Sequence, residues 1–217
     1  MKLNGFPIKA PYEFEIEQVM QHIVDCYNLM LNSSIKLPND ENDIRSNLVE
    51  GYLKNSSIMK KIGIKDYLFD SEVGVFREVD FKQVGRSDIK VSLRSSTFDE
   101  PKKHFIIECK RIDGKNDLNR EYVKEGVMRF TSELYPTFLS LNGMLGFCVE
   151  PFSIHENTTQ NLNVHLIKWS AKEMKQNITQ ELFIDNFDFT YTSTHSTISG
   201  GKEFKLYHAM LDVTNLI

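Results

Sequence analysis

From Asp88 to Leu93 apolar and polar residues alternate without a break, with Ile89, Val91 and Leu93 on one side and Asp88, Lys90 and Ser92 on the other. This is the two-residue period of a strand with one buried face. After the polar segment Arg94 to Lys103, which reads as a loop, Phe105, Ile106 and Ile107 follow in succession. An unbroken apolar run of this length needs cover on both faces, so His104 to Ile112 is expected near the centre of a mixed sheet. Two strands joined by one loop pair antiparallel. The start of the first then lies beside the end of the second, and Asp88 comes level with Glu108 and Lys110.

The flanking elements follow from periodicity. Residues 12 to 31 place Phe14, Ile16, Val19, Ile23, Tyr27 and Met30 at helical spacing, with Glu13, Glu15 and Glu17 where the helix dipole favours acid. After Pro38-Asn39-Asp40 a second helix is expected to about Lys54, with the stripe Ile44, Leu48, Tyr52 and Leu53. Between 56 and 82, Ile58, Ile62 and Ile64 suggest a short helix, and Val73, Val75 and Phe76 an extended segment. A long helix from about Asp117 to Tyr135 buries Tyr122, Val123, Val127, Phe130 and Leu134, and Gly143 to Val149 reads as a further core strand. Beyond it a strand is expected near Val164 to Trp169, with Trp169 in the core, then a helix from Ala171 to Glu181. Extended segments Phe187 to Tyr191 and Phe204 to Val213 would lie around the Gly200-Gly201 turn. The order implies an α/β (α+β) class, a central mixed sheet flanked by helices.

The 217 residues can bury one large core, and no repeat or low-complexity linker divides them. One domain over 1–217 is expected, with N-terminal helices at about 12–54, a core at about 41–149 and a C-terminal α/β elaboration at about 150–217. With no apolar run of bilayer length and no secretory pattern in the opening residues, no membrane partner and a cytoplasmic location are expected. Cys26, Cys109 and Cys148 are few, odd in number and far apart, so buried free thiols are expected rather than disulfides or a CxxC site. The chain has no HExxH zinc motif and no GxxxxGK[ST] phosphate loop. An energy-dependent process would therefore need a separate ATPase partner. The formal charge is −4, which weighs against a nucleic-acid partner until its distribution is considered. From Lys82 to Arg129 there are 12 Lys and Arg against 8 Asp and Glu, so this stretch carries +4 and the remainder −8.

Four ExK spacings occur, Glu100-Pro101-Lys102, Glu108-Cys109-Lys110, Glu173-Met174-Lys175 and Glu203-Phe204-Lys205, so spacing alone selects nothing. The first lies in a loop broken by proline, the third in an expected surface helix and the fourth at the beginning of its strand. Only Glu108 and Lys110 follow an apolar strand run, at the end where sites in mixed sheets gather. The two-residue period puts both on one face and turns Cys109 away. A second carboxylate on that face would suit Mg²⁺, which takes oxygen ligands. Asp88 supplies one.

VGRSDIKV followed by HFIIECKRID resembles the Asp-bearing strand and the hydrophobic ExK strand of the PD-(D/E)xK nuclease superfamily, over roughly residues 41 to 149. Ser87-Asp88 stands where that family has Pro-Asp. Glu41-x-x-Ile44-x-x-x-Leu48 is similar to the family's helical acidic element, with Asp43 and Glu50 as competitors for the role. The segment Arg120 to Phe130, followed by GMLGF, looks like the helix and strand that complete a restriction endonuclease-like core of bacterial defence loci. The resemblance implies a Mg²⁺-dependent nuclease, with Mn²⁺ as substitute, in which Asp88, Glu108, the Cys109 carbonyl and Glu41 hold metal. Lys110 would orient the attacking water. It also implies a nucleic-acid partner, double-stranded DNA, contacted by Arg86, Lys124 and Arg129, and a two-fold homodimer for cutting both strands. For Arg129 an ion pair with Glu125 or Glu133, one helical turn away, is the competing reading. Ser193-Thr194-His195 could pair a nucleophile with a base, but no GxSxG accompanies it, and a polar turn is the expectation.

Overall fold

The structure is a computed structural model that describes residues 12–76, 81–94, 104–135 and 139–217. Helix α1 (Glu13–Leu31) buries Ile16, Val19, Met20, Ile23, Tyr27 and Met30, whereas Phe14 of the expected stripe lies in its first turn and is 62% exposed. Helix α2 (Glu41–Ser46) is capped by the Asp40 side chain, which accepts from the Asn42 and Asp43 amides, and continues as π-helical turns over Asn47–Leu53. Helix α3 (Ser56–Ile62) is capped likewise by Asn55 and stopped by Gly63, whose φ of 78° is the left-handed conformation glycine adopts freely.

Seven strands form one sheet: β1 (Tyr67–Phe76), β2 (Gln83–Leu93), β3 (His104–Ile112), β4 (Leu141–Cys148), β5 (Met174–Gln180), β6 (Thr190–Ser196) and β7 (Glu203–Asp212). Their order is β1-β2-β3-β4-β7-β6-β5. The β3–β4 and β4–β7 pairs are parallel and the rest antiparallel, the mixed sheet expected. The crossover from β3 to β4 is helix α4, made of Asn116–Glu121, π-helical turns at Tyr122–Val127, and Met128–Thr131. Helix α5 joins Ile154–Glu156, Asn157–Asn161 and Leu162–Ser170.

Each face of the sheet has its own apolar layer. Ile107, Leu145 and Ala209 pack with Ile16, Met20 and Ile23 of α1, whereas Ile106, Met144 and Met210 pack with Tyr122 and Val127 of α4 and Leu166 of α5. This is why β3 and β4 read as continuous apolar runs. Gly143 and Gly146 of β4 let neighbours close in: a Cβ on Gly146 would stand 2.4 Å from Met210 Sδ. Among the described residues no helix is long and apolar enough to cross a membrane.

Three expectations are corrected. Strand β2 begins at Gln83, so Asp88 lies within the strand rather than opening it. Its first half pairs only with β1, lies largely exposed and has no apolar alternation to read. The strand expected near Val164 to Trp169 is helical. Leu162 and Leu166 face the core at helical spacing, while Val164, Ile167 and Trp169, which suggested a strand, are 63%, 54% and 37% exposed. The helix expected from Ala171 to Glu181 contains edge strand β5, where Ile178 is the buried residue. The Asn163 side-chain amide both donates to the Ile178 carbonyl and accepts from its N–H, each at 2.9 Å, fastening β5 to α5. Of the expected loop Arg94 to Lys103, only Arg94 falls within the described residues.

Candidate active site

Among the described residues, strands β2 and β3 pair from Ile89 opposite Ile107 to Ser92 opposite His104. Before Ile89, β2 follows β1, and beyond Ile107, β3 follows β4, so the sheet forks. Asp88 and Glu108, level by continuation of that register, are the first residues inside the fork. The Asp88 carboxylate replaces the lost ladder partner: its Oδ2 accepts from the Cys109 amide at 2.8 Å. The fork opens into a cleft of about 390 Å³ lined by Glu41, Arg45, Glu72, Arg86, Asp88, Lys110 and Arg129, among others.

The Lys110 ammonium occupies the centre of an oxygen cluster. Its Nζ lies 2.8 Å from Glu41 Oε1, 2.8 Å from the Cys109 carbonyl oxygen, 2.9 Å from Glu108 Oε1 and 3.9 Å from Asp88 Oδ2. Burial works against its charge, but Glu108, Glu41 and Asp88 outweigh that and raise its pKa above the ordinary lysine value. Glu108 is fully buried, and burial, with the nearby Asp88 charge, pushes its carboxyl up to about 7 against the pull of Lys110 and Arg129. Its Oε1 has Lys110 and Arg129 within 3.1 Å but no well-aligned hydrogen bond. Glu41 Oε2 also accepts from the Arg111 amide at 3.1 Å, tying α2 to β3.

Two residues outside the expected set fix the carboxylates. Arg45, 3% exposed, donates from Nη1 to Asp88 Oδ1 at 2.6 Å and from Nη2 to Glu72 Oε1 at 2.7 Å. The Tyr135 hydroxyl spans the fork, 2.7 Å from both Glu108 Oε2 on β3 and the Arg86 carbonyl on β2, and accepts from Arg129 Nη1 at 2.6 Å. Arg45 was legible in principle: it sits one helical turn after Glu41, beside the buried Ile44. In the sequence Tyr135 marks only the end of the expected helix, outside its apolar stripe, and nothing sets Glu72 apart.

The structure brings Asp88, Glu108, Lys110, Glu41 and the Cys109 carbonyl together, with Arg86 and Arg129 on the same cleft. Of the competitors of Glu41, Asp43 is exposed and Glu50 pairs with Lys54 and Ser71. Arg129 pairs with Glu108 at 3.1 Å rather than with a neighbour along its helix. Lys124 is not brought to the cleft; its ammonium lies 4.3 Å from the centre of the Trp169 ring, which is partly exposed and not core. Ser193 and His195 are fully buried, Ser193 Oγ lying 2.8 Å from both His195 Nε2 and His208 Nε2, so they form an internal network rather than a turn. All three cysteines are free and buried.

Among the described residues no group of three or more His, Cys, Asp and Glu side chains is set to hold a metal as they stand. The donor set nevertheless suits a hard cation: three carboxylates and a carbonyl, oxygen only, already gathered around one positive charge. Comparison with family models, with curated proteins and with solved structures found no significant match.

Proposed function

We propose that this protein is a Mg²⁺-dependent nuclease of PD-(D/E)xK type that hydrolyses phosphodiester bonds of DNA in the cytoplasm, in restriction or phage defence. One observation carries the reading: Asp88, Glu108, Glu41 and the Cys109 carbonyl converge from two strands and a helix on a single cationic centre at the floor of a cleft. Those four would hold the metal. Bound Mg²⁺ would supply Lewis-acid polarisation of the phosphate and a more acidic water. Lys110, once its ammonium swings off the carboxylates, orients that water or neutralises charge on the phosphoryl oxygens. Arg86 and Arg129, both on the cleft, hold the phosphate backbone. Arg45 and Tyr135 keep Asp88 and Glu108 in place, which is how positioning without reorganisation lowers a barrier.

A second reading has an observation of its own. Both Asp88 oxygens are taken, one by Arg45 and one by the Cys109 amide, which suits a silent module that binds nucleic acid or a partner ATPase. A panel of supercoiled DNA, linear DNA and RNA with Mg²⁺, Mn²⁺ or EDTA separates the two. Metal-dependent cleavage that disappears in Lys110→Ala supports the nuclease; salt-sensitive binding without cleavage in any metal supports the module.

A further inference from the structure

The acidic site continues along the β1–β2 hairpin as a track of side chains on one face. Arg86 is opposite Gly74, so the two share a face, and the ladder slips by one residue between Val75 and Phe76, which stands opposite Gln83. Glu72, with a φ of 52°, interrupts the two-residue alternation, so side-chain contacts rather than the period set the row. Arg45 touches both Asp88 and Glu72, and Arg86 Nη1 lies 3.4 Å from Glu72 Oε2. Gly74 leaves a gap in this row, and the Phe76 ring lies over it. A Cβ on Gly74 would stand 2.9 Å from Phe76 Cε2 and 3.3 Å from Cζ. With one side on the glycine, Phe76 is still 58% exposed. The Gly74–Arg86 pair is one two-residue step, about 7 Å, from Asp88. An open aromatic face therefore sits beside a guanidinium with a 60% exposed side chain, within a nucleotide's reach of the carboxylates.

We propose that Phe76 is a stacking platform for an unpaired base of the substrate, with Arg86 taking the adjoining phosphate. This rests on the nuclease reading and sharpens it: bases inside a duplex have both faces covered by neighbours, whereas a ring can stack only on a base that is out of the helix. The substrate is then DNA that is single-stranded, frayed or distorted at the nucleotide beside the cut. Phe76 determines that preference and takes no part in the chemistry.

The test is binding in EDTA, where no strand is cut. Fluorescence anisotropy compares one labelled oligodeoxynucleotide as a single strand, as its duplex, and as a strand of the same length with abasic residues. The wild type is expected to bind the base-bearing strand about tenfold more tightly than the abasic one, the size of a single base–aromatic stack. Phe76→Leu should erase that difference without changing abasic affinity or the melting temperature, and Phe76→Trp should keep it. Unchanged discrimination in a folded Phe76→Leu, or wild-type preference for the duplex, overturns the inference alone. Failure of the wild type to bind any of the three overturns the nucleic-acid reading with it.

Discussion

Arg45 Nη1 and Asp88 Oδ1 lie 2.6 Å apart across 43 residues of sequence, with both residues more than nine-tenths buried. A buried carboxylate held by one guanidinium makes that guanidinium costly to remove, because the charge left behind has no water to turn to. Arg45→Met should lower unfolding free energy by about 3–5 kcal/mol in urea titrations. Arg45→Met combined with Asp88→Asn should recover much of the loss, since the stranded charge is then gone. Strictly additive single effects would show that the two residues do not act as a pair.

Lys110 stands where three carboxylates would otherwise repel one another. Lys110→Met should melt at a lower temperature than the wild type in EDTA. Added Mg²⁺ should raise its melting temperature more than that of the wild type, because the cation enters a site with no ammonium to displace. Equal shifts in the two proteins would mean that metal does not enter this cluster.

Tyr135→Phe removes the hydroxyl that serves Glu108 Oε2 and the Arg86 carbonyl and nothing else of the ring. Loss of its one O–H donor, and of the oxygen that accepts from Arg129 Nη1, predicts a destabilisation of about 1–3 kcal/mol. It also predicts a drop in cleavage rate, because the two arms of the fork lose their bridge. Wild-type rate and stability together would exclude a positioning role for the tyrosine.

Glu108 gives the apoprotein a pH dependence of unusual sign. Its folded carboxyl, near 7, lies above the ordinary 4.5, so between those values the folded state holds a proton that the unfolded chain has released. This contribution is present at the acid end of the window and is lost as pH rises through it. The buried His195 and His208 act oppositely: burial lowers their pKa to about 4 and about 3, so they withdraw stability as pH falls below 6.5. Thermal melts in EDTA should therefore find Glu108→Gln gaining on the wild type from pH 4.5 to beyond 7. A constant difference across that range would place the Glu108 pKa at its ordinary value.

The sequence carried the sheet's centre and the core of the site for one reason: both depend on residues whose pattern is imposed by burial. The alternation at 88–93 and the run at 105–107 fixed which strands pair and which face Asp88, Glu108 and Lys110 share. Where burial is one-sided and slight, pattern fails. Strand β5 exposes most of its side chains and read as a helix, and the apolar residues on the outer face of α5 mimicked a strand. The roles of Glu72 and Tyr135 arise from contacts across 27 residues, which no local period encodes, whereas the place of Arg45 one helical turn after Glu41 is the single local signal of its part in the site.

The central claim is that the cluster of Asp88, Glu108 and Lys110 hydrolyses phosphodiester bonds with a bound divalent cation. Its most direct test is conversion of supercoiled plasmid to nicked or linear form by the wild type, Asp88→Asn and Lys110→Ala, each first found folded by circular dichroism. The account predicts cleavage by the wild type in Mg²⁺, none in EDTA, and rates reduced about a hundredfold or more in both variants. Cleavage that persists in EDTA, or at the wild-type rate in either folded variant, would contradict it.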